Sequence, residues 1–361
     1  MLYIEKKFEY EFGKRKLLIT FDSGMYGFIS GIIEPTNFLE FLHAAWRKCK
    51  AAGMFPAMEF MIRRKRKTFI GRGSKADMKP SETFRGIYRI YLYPESIFPL
   101  EQNPGFAWAV SSTLNKLSRF KAIGALLRKT VEHEIAHVKH YATGKAVRAR
   151  ILVLDRQREK MNKFHEHLNQ LAYSGTGISW KQSGLADEFI SLRMDLFFFI
   201  ENFQAEGIAM YAELCVEKSS FDMYSEVKKT YRKGKRYVKS LKLRFEPTSS
   251  LTEDRKFIQE IKEGRSRSAP YRIGLHMVLA VMQHFRLDID RIMQLSPIAF
   301  IKHYETAAMA LDLKPLVSVN GGAGIFDYAE TLRKIMKYYK SQGLDDVYEV
   351  YRKWKLDDGL S

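Results

Sequence analysis

The apolar pattern of this chain changes period once, and that change constrains the fold more than any other feature. Up to about residue 100, short runs rich in β-branched and aromatic residues are separated by turn signals. Beyond about residue 104, apolar residues recur every three to four positions almost to the end. A chain of 361 residues with this order is an α+β protein, a small N-terminal mixed sheet followed by a mainly helical region. Strands or hairpin arms are predicted in YIEKKFEYEF, KLLITFD, YGFISGII, PAMEFMIRR and FRGIYRIYLYP, the last stopped by Pro94. Pro35 and Thr36 open a predicted helix through NFLEFLHAAWRKCKAAG to Gly53. Further helices are predicted over 105–119, 122–142, 146–173, 185–217, 221–243, 252–263, 271–286, 297–311 and 325–340. Breaks are read at SGTGISWKQSG, EPTSS, EGRSRSAP and VSVNGGAG, and Ser250 with Glu253 spells a capping box. Three regions follow: a sheet region over 1–100, a core over 101–290 with a helical insertion about 145–185, and a C-terminal helical region over 291–361.

Composition sets outer bounds. At 46% hydrophobic residues the chain is globular and not disordered. No apolar run is long enough to span a bilayer, and the N-terminus lacks the basic-then-apolar order of a signal peptide, so a cytoplasmic protein is expected. With only Cys49 and Cys215 and no CxxC pair, any metal must be held by histidine and carboxylate. The net charge of +19 is spread widely but is densest in IRRKRKTFIGRGSK and KKTYRKGKRYVKSLKLR, a pattern suited to solvated faces or to an anionic partner, whether nucleic acid, membrane surface or acidic protein.

Chemistry concentrates in VEHEIAHVKH, residues 131–140. On a helix, positions four apart lie about 40° apart around the axis and about 6 Å along it, so His133 and His137 converge on one ion. Glu134, about 100° round from His133, is placed to reach a metal-bound water instead of the metal. Imidazole nitrogens suit zinc, and a carboxylate beside the water can take its proton. A shuffle of this composition produces HExxH in only roughly 1–2% of arrangements. A catalytic zinc needs a third protein ligand and an open position. His140 shares the face but lies about 10 Å along the axis from His133, which makes it a surface residue or a support to the ligands. Downstream, NFQAEGIAMYAELC sets Glu206 in an apolar frame where a carboxylate is costly unless paired or metal-bound. Gly207 beside it lets another helix approach closely. Glu213, two turns on, is the fallback ligand, and Glu201 ranks below both.

HEIAH followed by a helix with AEGIAMY resembles the zincin metallopeptidases of the gluzincin type, particularly the peptidase-MA-like group, over about residues 84–290. The resemblance implies a zincin-like fold, Zn2+ on His133, His137 and Glu206, Glu134 as general base, and a peptide or protein substrate. Glu206 follows His137 by 69 positions, a long spacer. Zincins also imply an edge strand along which an extended substrate adds, for which RGIYRIYLYP is the candidate. APYRIGLHMVLAVMQH resembles the Tyr-x-x-Gly helix of several gluzincins. It offers Tyr271 first and His276 second as donor to the oxyanion, with Arg272 available for a substrate carboxylate. His165 and His167, two apart on a charged helix, do not converge and are expected at the surface. The expected function is a zinc-dependent metallopeptidase. The rival is a basic nucleic-acid- or anion-binding protein whose metal site is structural or degenerate.

Overall fold

The computed structural model describes residues 4–12, 15–48, 57–63, 76–78, 87–97, 116–144, 159, 162–175, 179–245, 269–319 and 326–343. Several expectations lie outside the described residues: the basic run beyond Arg63, the start of the 105–119 helix, the helix at 252–263 with its capping box, and Cys49. The protein is α+β and divides into two compact units. One comprises residues 1–143 and 209–220, the other 144–208 and 221–361. Among the described residues no helix is long and apolar enough to cross a membrane.

The first unit is built on a five-stranded sheet of order β1-β2-β3-β5-β4. Its strands are β1 Ile4–Phe12, β2 Arg15–Asp22, β3 Ala57–Ile62, β4 Ala76–Met78 and β5 Ile87–Leu92. β2, β3 and β5 run parallel, while β1 and β4 pair antiparallel at the two edges. Two strand-level expectations are corrected here. YGFISGII is not a strand; residues Met25–Ser30 form helix α1, entered through Gly24 at φ 77°. Met25, Ile29 and Ile33, four apart, are all buried, so packing onto the sheet overrides the local strand propensity. β5, the candidate edge strand, is interior: β3 flanks it on one side and β4 pairs Ala76–Met78 with Ile90–Leu92 on the other.

Alternation places Leu17, Ile19, Phe21, Met58, Phe60, Ile62, Ile90 and Leu92 on one face, where they meet three helices. These are α1, α2 (Pro35–Lys48) and, after the short α3 (Pro94–Ile97), the long α4 (Lys116–Thr143). α4 gives this core Leu127, Val131, Ile135, Val138 and Ala142, spaced by four and three. Each large side chain so buried contributes about 1.5–3 kcal/mol. The stripe fixes the rotation of α4. At about 100° per residue, a core side centred on Val131 turns His133, His137 and His140 to the opposite side. On the other sheet face, buried Glu59 is neutralised by Arg89 Nε at 2.7 Å and accepts from Thr20 Oγ1 at 2.8 Å.

The second unit is helical. α5 covers 162–174, and α6 is a single helix Trp180–Glu217 whose final turns belong to the first unit. α7 (Met223–Phe245), α8 (Ala269–Phe285), α9 (Ile289–Gln294), α10 (Pro297–Ala310) and α11 (Tyr328–Ser341) follow. Asp288, Ser296 and Asp327 cap the last three, each accepting from a backbone N–H three residues on. A two-stranded parallel pair, β6 (Val317–Ser318) and β7 (Phe326–Asp327), precedes α11. α8 is the buried centre, packed against α7 and α10. α6 meets α8 where two glycines face each other: a Cβ on Gly207 would lie 2.5 Å from the Gly274 carbonyl oxygen. The close approach expected beside Glu206 is therefore present. Gln204, fully buried one turn earlier, donates to the carbonyls of Ile292 and Leu295 at 2.8 and 3.0 Å and ties α9 to α6.

Candidate metal centre

α4 and α6 supply the residues. His133, Glu134 and His137 are buried on α4, and Glu206 is half-buried on α6. One ligand atom from each of His133, His137 and Glu206 lies within 4.8 Å of the others. This is the group the sequence singled out.

The imidazole geometry is specific. His133 Nδ1 stands 2.8 Å from Glu213 Oε1. A carboxylate can only accept, so Nδ1 carries the proton and Nε2 presents its lone pair. That Nε2 faces the Nε2 of His137 across 3.2 Å, with the rings nearly perpendicular at 78°. Two nitrogens each about 2.0–2.1 Å from one tetrahedral zinc stand roughly 3.3 Å apart. The pair is already spaced to share such an ion, and a carboxylate completes a donor set typical of zinc.

Glu213 has a different place from the fallback ligand role. It sits seven residues after Glu206 on the same side of α6, and it engages the far nitrogen of His133. Lys129 Nζ contacts Glu213 at 3.0 Å and Glu217 at 2.5 Å. Burial alone would raise the Glu213 carboxyl, but the hydrogen bonds and charges of His133 and Lys129 more than offset this and hold it below the ordinary carboxylate value. The chain Lys129–Glu213–His133 thus fixes the tautomer and orientation of one candidate ligand. The sequence signal was available: Lys129 lies one turn before His133, on the same side of α4.

The remaining candidates fall elsewhere. His140 is not at the surface; it is buried and packs at 5.9 Å from the Tyr141 ring, and it is not part of the ligand group. Glu201 is buried on α6 and is likewise outside the group. Tyr271 and Arg272 are exposed in the first turn of α8. His276 is packed inside the helical second unit. It lies about 200° round α8 from Gly274, the position that meets α6. It is fully buried among Thr230 and Tyr231 of α7 and Tyr304 of α10. Burial pushes its imidazole down to about 4, against a smaller opposing contribution from a backbone hydrogen bond at Val227. This is the environment of a neutral core histidine. His165 is exposed and bonds Asn169 one turn on, and His167 is partly exposed beside it. Comparison with known proteins finds no family model, no curated protein and no solved structure that matches the chain.

Proposed function

We propose that the protein is a zinc-dependent metallopeptidase in which His133, His137 and Glu206 hold the ion. The observation that carries this reading is the pair of imidazole Nε2 atoms 3.2 Å apart, with the Glu206 carboxylate in the same group. Among the described residues the group has three protein ligands, a number that suits a catalytic site with an open position better than a structural site, which takes four. When bound, zinc supplies Lewis acidity, polarising a carbonyl oxygen and making water a stronger acid.

The protein's own groups do the rest. Glu134, next to His133 and buried, takes a proton from the attacking water and returns it to the leaving nitrogen. Glu213 holds His133 with its Nε2 lone pair directed inward. Tyr271 and Arg272, both exposed, are available to a substrate, the phenol as donor to the oxyanion and the guanidinium to a carboxylate. Among the described residues the edge strand beside α4 is β4, and not β5, and it is the one available for backbone pairing with an extended peptide. The positive net charge favours acidic substrates.

The deciding experiment is elemental mass spectrometry of purified wild type and Glu206→Ala. Near-stoichiometric zinc in the wild type, lost in the variant, is expected. A wild type that takes up no metal even after reconstitution with zinc would refute the proposal.

A further inference from the structure

α7 has two chemically opposite sides. Val227, Thr230, Gly234 and Val238, spaced by three and four, are buried, and α7 packs on α8. A Cβ at Gly234 would collide with Leu316 at 2.7 Å, so this side is filled within the unit. The other side carries Lys228, Lys229, Arg232, Lys233, Lys235 and Arg236, all exposed. Lys229 lies 3.6 Å from Glu226. Among the described residues no carboxylate pairs with the other five. Two of them rest on aromatic rings instead, Lys228 at 4.2 Å from Tyr224 and Lys235 at 5.8 Å from Tyr231. In the sequence no acidic residue follows until Glu246, and the alternating spacing of Lys228, Arg232 and Lys235 continues at Lys239 and Lys242.

The charge density selects the partner. Lys228 to Arg236 covers about 12 Å of helix, so the six cations amount to one charge per roughly 2 Å. Duplex nucleic acid presents one phosphate charge per about 1.7 Å of its axis. A membrane-surface helix must put an apolar face into lipid, and the apolar face of α7 is already buried. Protein interfaces are depleted of lysine at their centres and are anchored by apolar or aromatic groups. Here the exposed ring of Tyr224 lies under an ammonium group. We propose that the cationic face of α7 binds the phosphate backbone of nucleic acid without reading its sequence. The proposal does not depend on the metal centre.

The test is fluorescence anisotropy of the full chain with a labelled DNA duplex of about 20 base pairs, and separately with single-stranded RNA of similar length, over about 50–200 mM salt. Five phosphate contacts give a slope of log affinity against log salt near −4.5 on duplex, a loss of roughly 500-fold across that range. Lys228→Ala, Arg232→Ala and Lys235→Ala together are expected to flatten the slope by roughly 2.7. The charge-preserving set Lys228→Arg, Arg232→Lys and Lys235→Arg is expected to keep it. Circular dichroism checks that both sets fold. Binding in one arm only identifies DNA or RNA and supports the proposal. It is overturned by no binding in either arm at low salt, by an unchanged slope in the alanine set, or by binding to phosphatidylserine vesicles in place of both nucleic acids.

Discussion

Gly207→Ala is the sharpest probe of how α6 is held. The new methyl group would stand 2.5 Å from the Gly274 carbonyl oxygen, 2.7 Å from its carbonyl carbon and 2.9 Å from Val278 Cγ2. Comfortable contact begins near 3.5 Å, so α6 and α8 would have to separate by about 1 Å. Two of the three clashing atoms are backbone, and no rotamer change relieves them. Overpacking of this kind costs about 1–3 kcal/mol, here toward the upper end. Replacing glycine inside a helix returns up to about 1 kcal/mol. The net expectation is destabilisation by roughly 1–2 kcal/mol, a fall in urea midpoint of about 0.5 M. Gly184, on the same helix, is the control: nothing lies within 4 Å of its added Cβ. Gly184→Ala is expected to gain about 0.4–1 kcal/mol from propensity and lost unfolded-state freedom. Both are read by urea titration with far-UV circular dichroism. A Gly207→Ala midpoint at or above wild type, with Gly184→Ala behaving as expected, would refute the close crossing. Because Gly207 adjoins Glu206, the same variant is expected to bind zinc more weakly.

Three further outcomes are expected. Glu213→Ala leaves His133 without its orienting partner and weakens zinc binding by about 10–100-fold, measured by chelator competition, while zinc stoichiometry at saturation is retained. Glu134→Gln keeps zinc by elemental analysis and loses peptidase turnover; loss of the metal instead would make Glu134 a ligand. His276 stays neutral in the folded protein down to about pH 4, whereas an unfolded histidine takes its proton near pH 6.5. The unfolded state therefore binds more protons in that window, and its contribution, complete above it, falls by about 2 kcal/mol by pH 5; His276→Phe is expected to remove that part of the pH dependence of the urea midpoint.

The grouping of His133, His137 and Glu206 was legible because helical spacing alone brings His133 and His137 together, and because a glutamate beside a glycine in an apolar helix is costly unless it has a partner. What spacing could not separate was Glu206 from Glu213. They lie seven residues apart on one side of α6, and only the approach of α4 decides which is grouped with the Nε2 atoms and which bonds Nδ1. The strand order was hidden for a similar reason. β5 is interior because the three residues Ala76–Met78, next to a highly charged run, pair with its end. No local propensity announces that contact. α1 looks like a strand in the sequence because Met25, Ile29 and Ile33 declare a helix only once a sheet is there to receive them. His276 carries no sequence mark distinguishing a core histidine from a catalytic one; its place between α7 and α10 depends on how three helices pack.

The order of the sheet has a consequence for life in a crowded solution. At one edge, the described part of β4 covers three residues, a short template for a foreign strand. At the other, β1 runs nine residues and would invite pairing between molecules. It is written Ile-Glu-Lys-Lys-Phe-Glu-Tyr-Glu-Phe, with five charges and an irregularity in register between Ile4 and Lys6. An incoming strand would have to bring matching charges to every one of those positions while following a locally broken ladder. The long edge thereby protects the molecule against self-association.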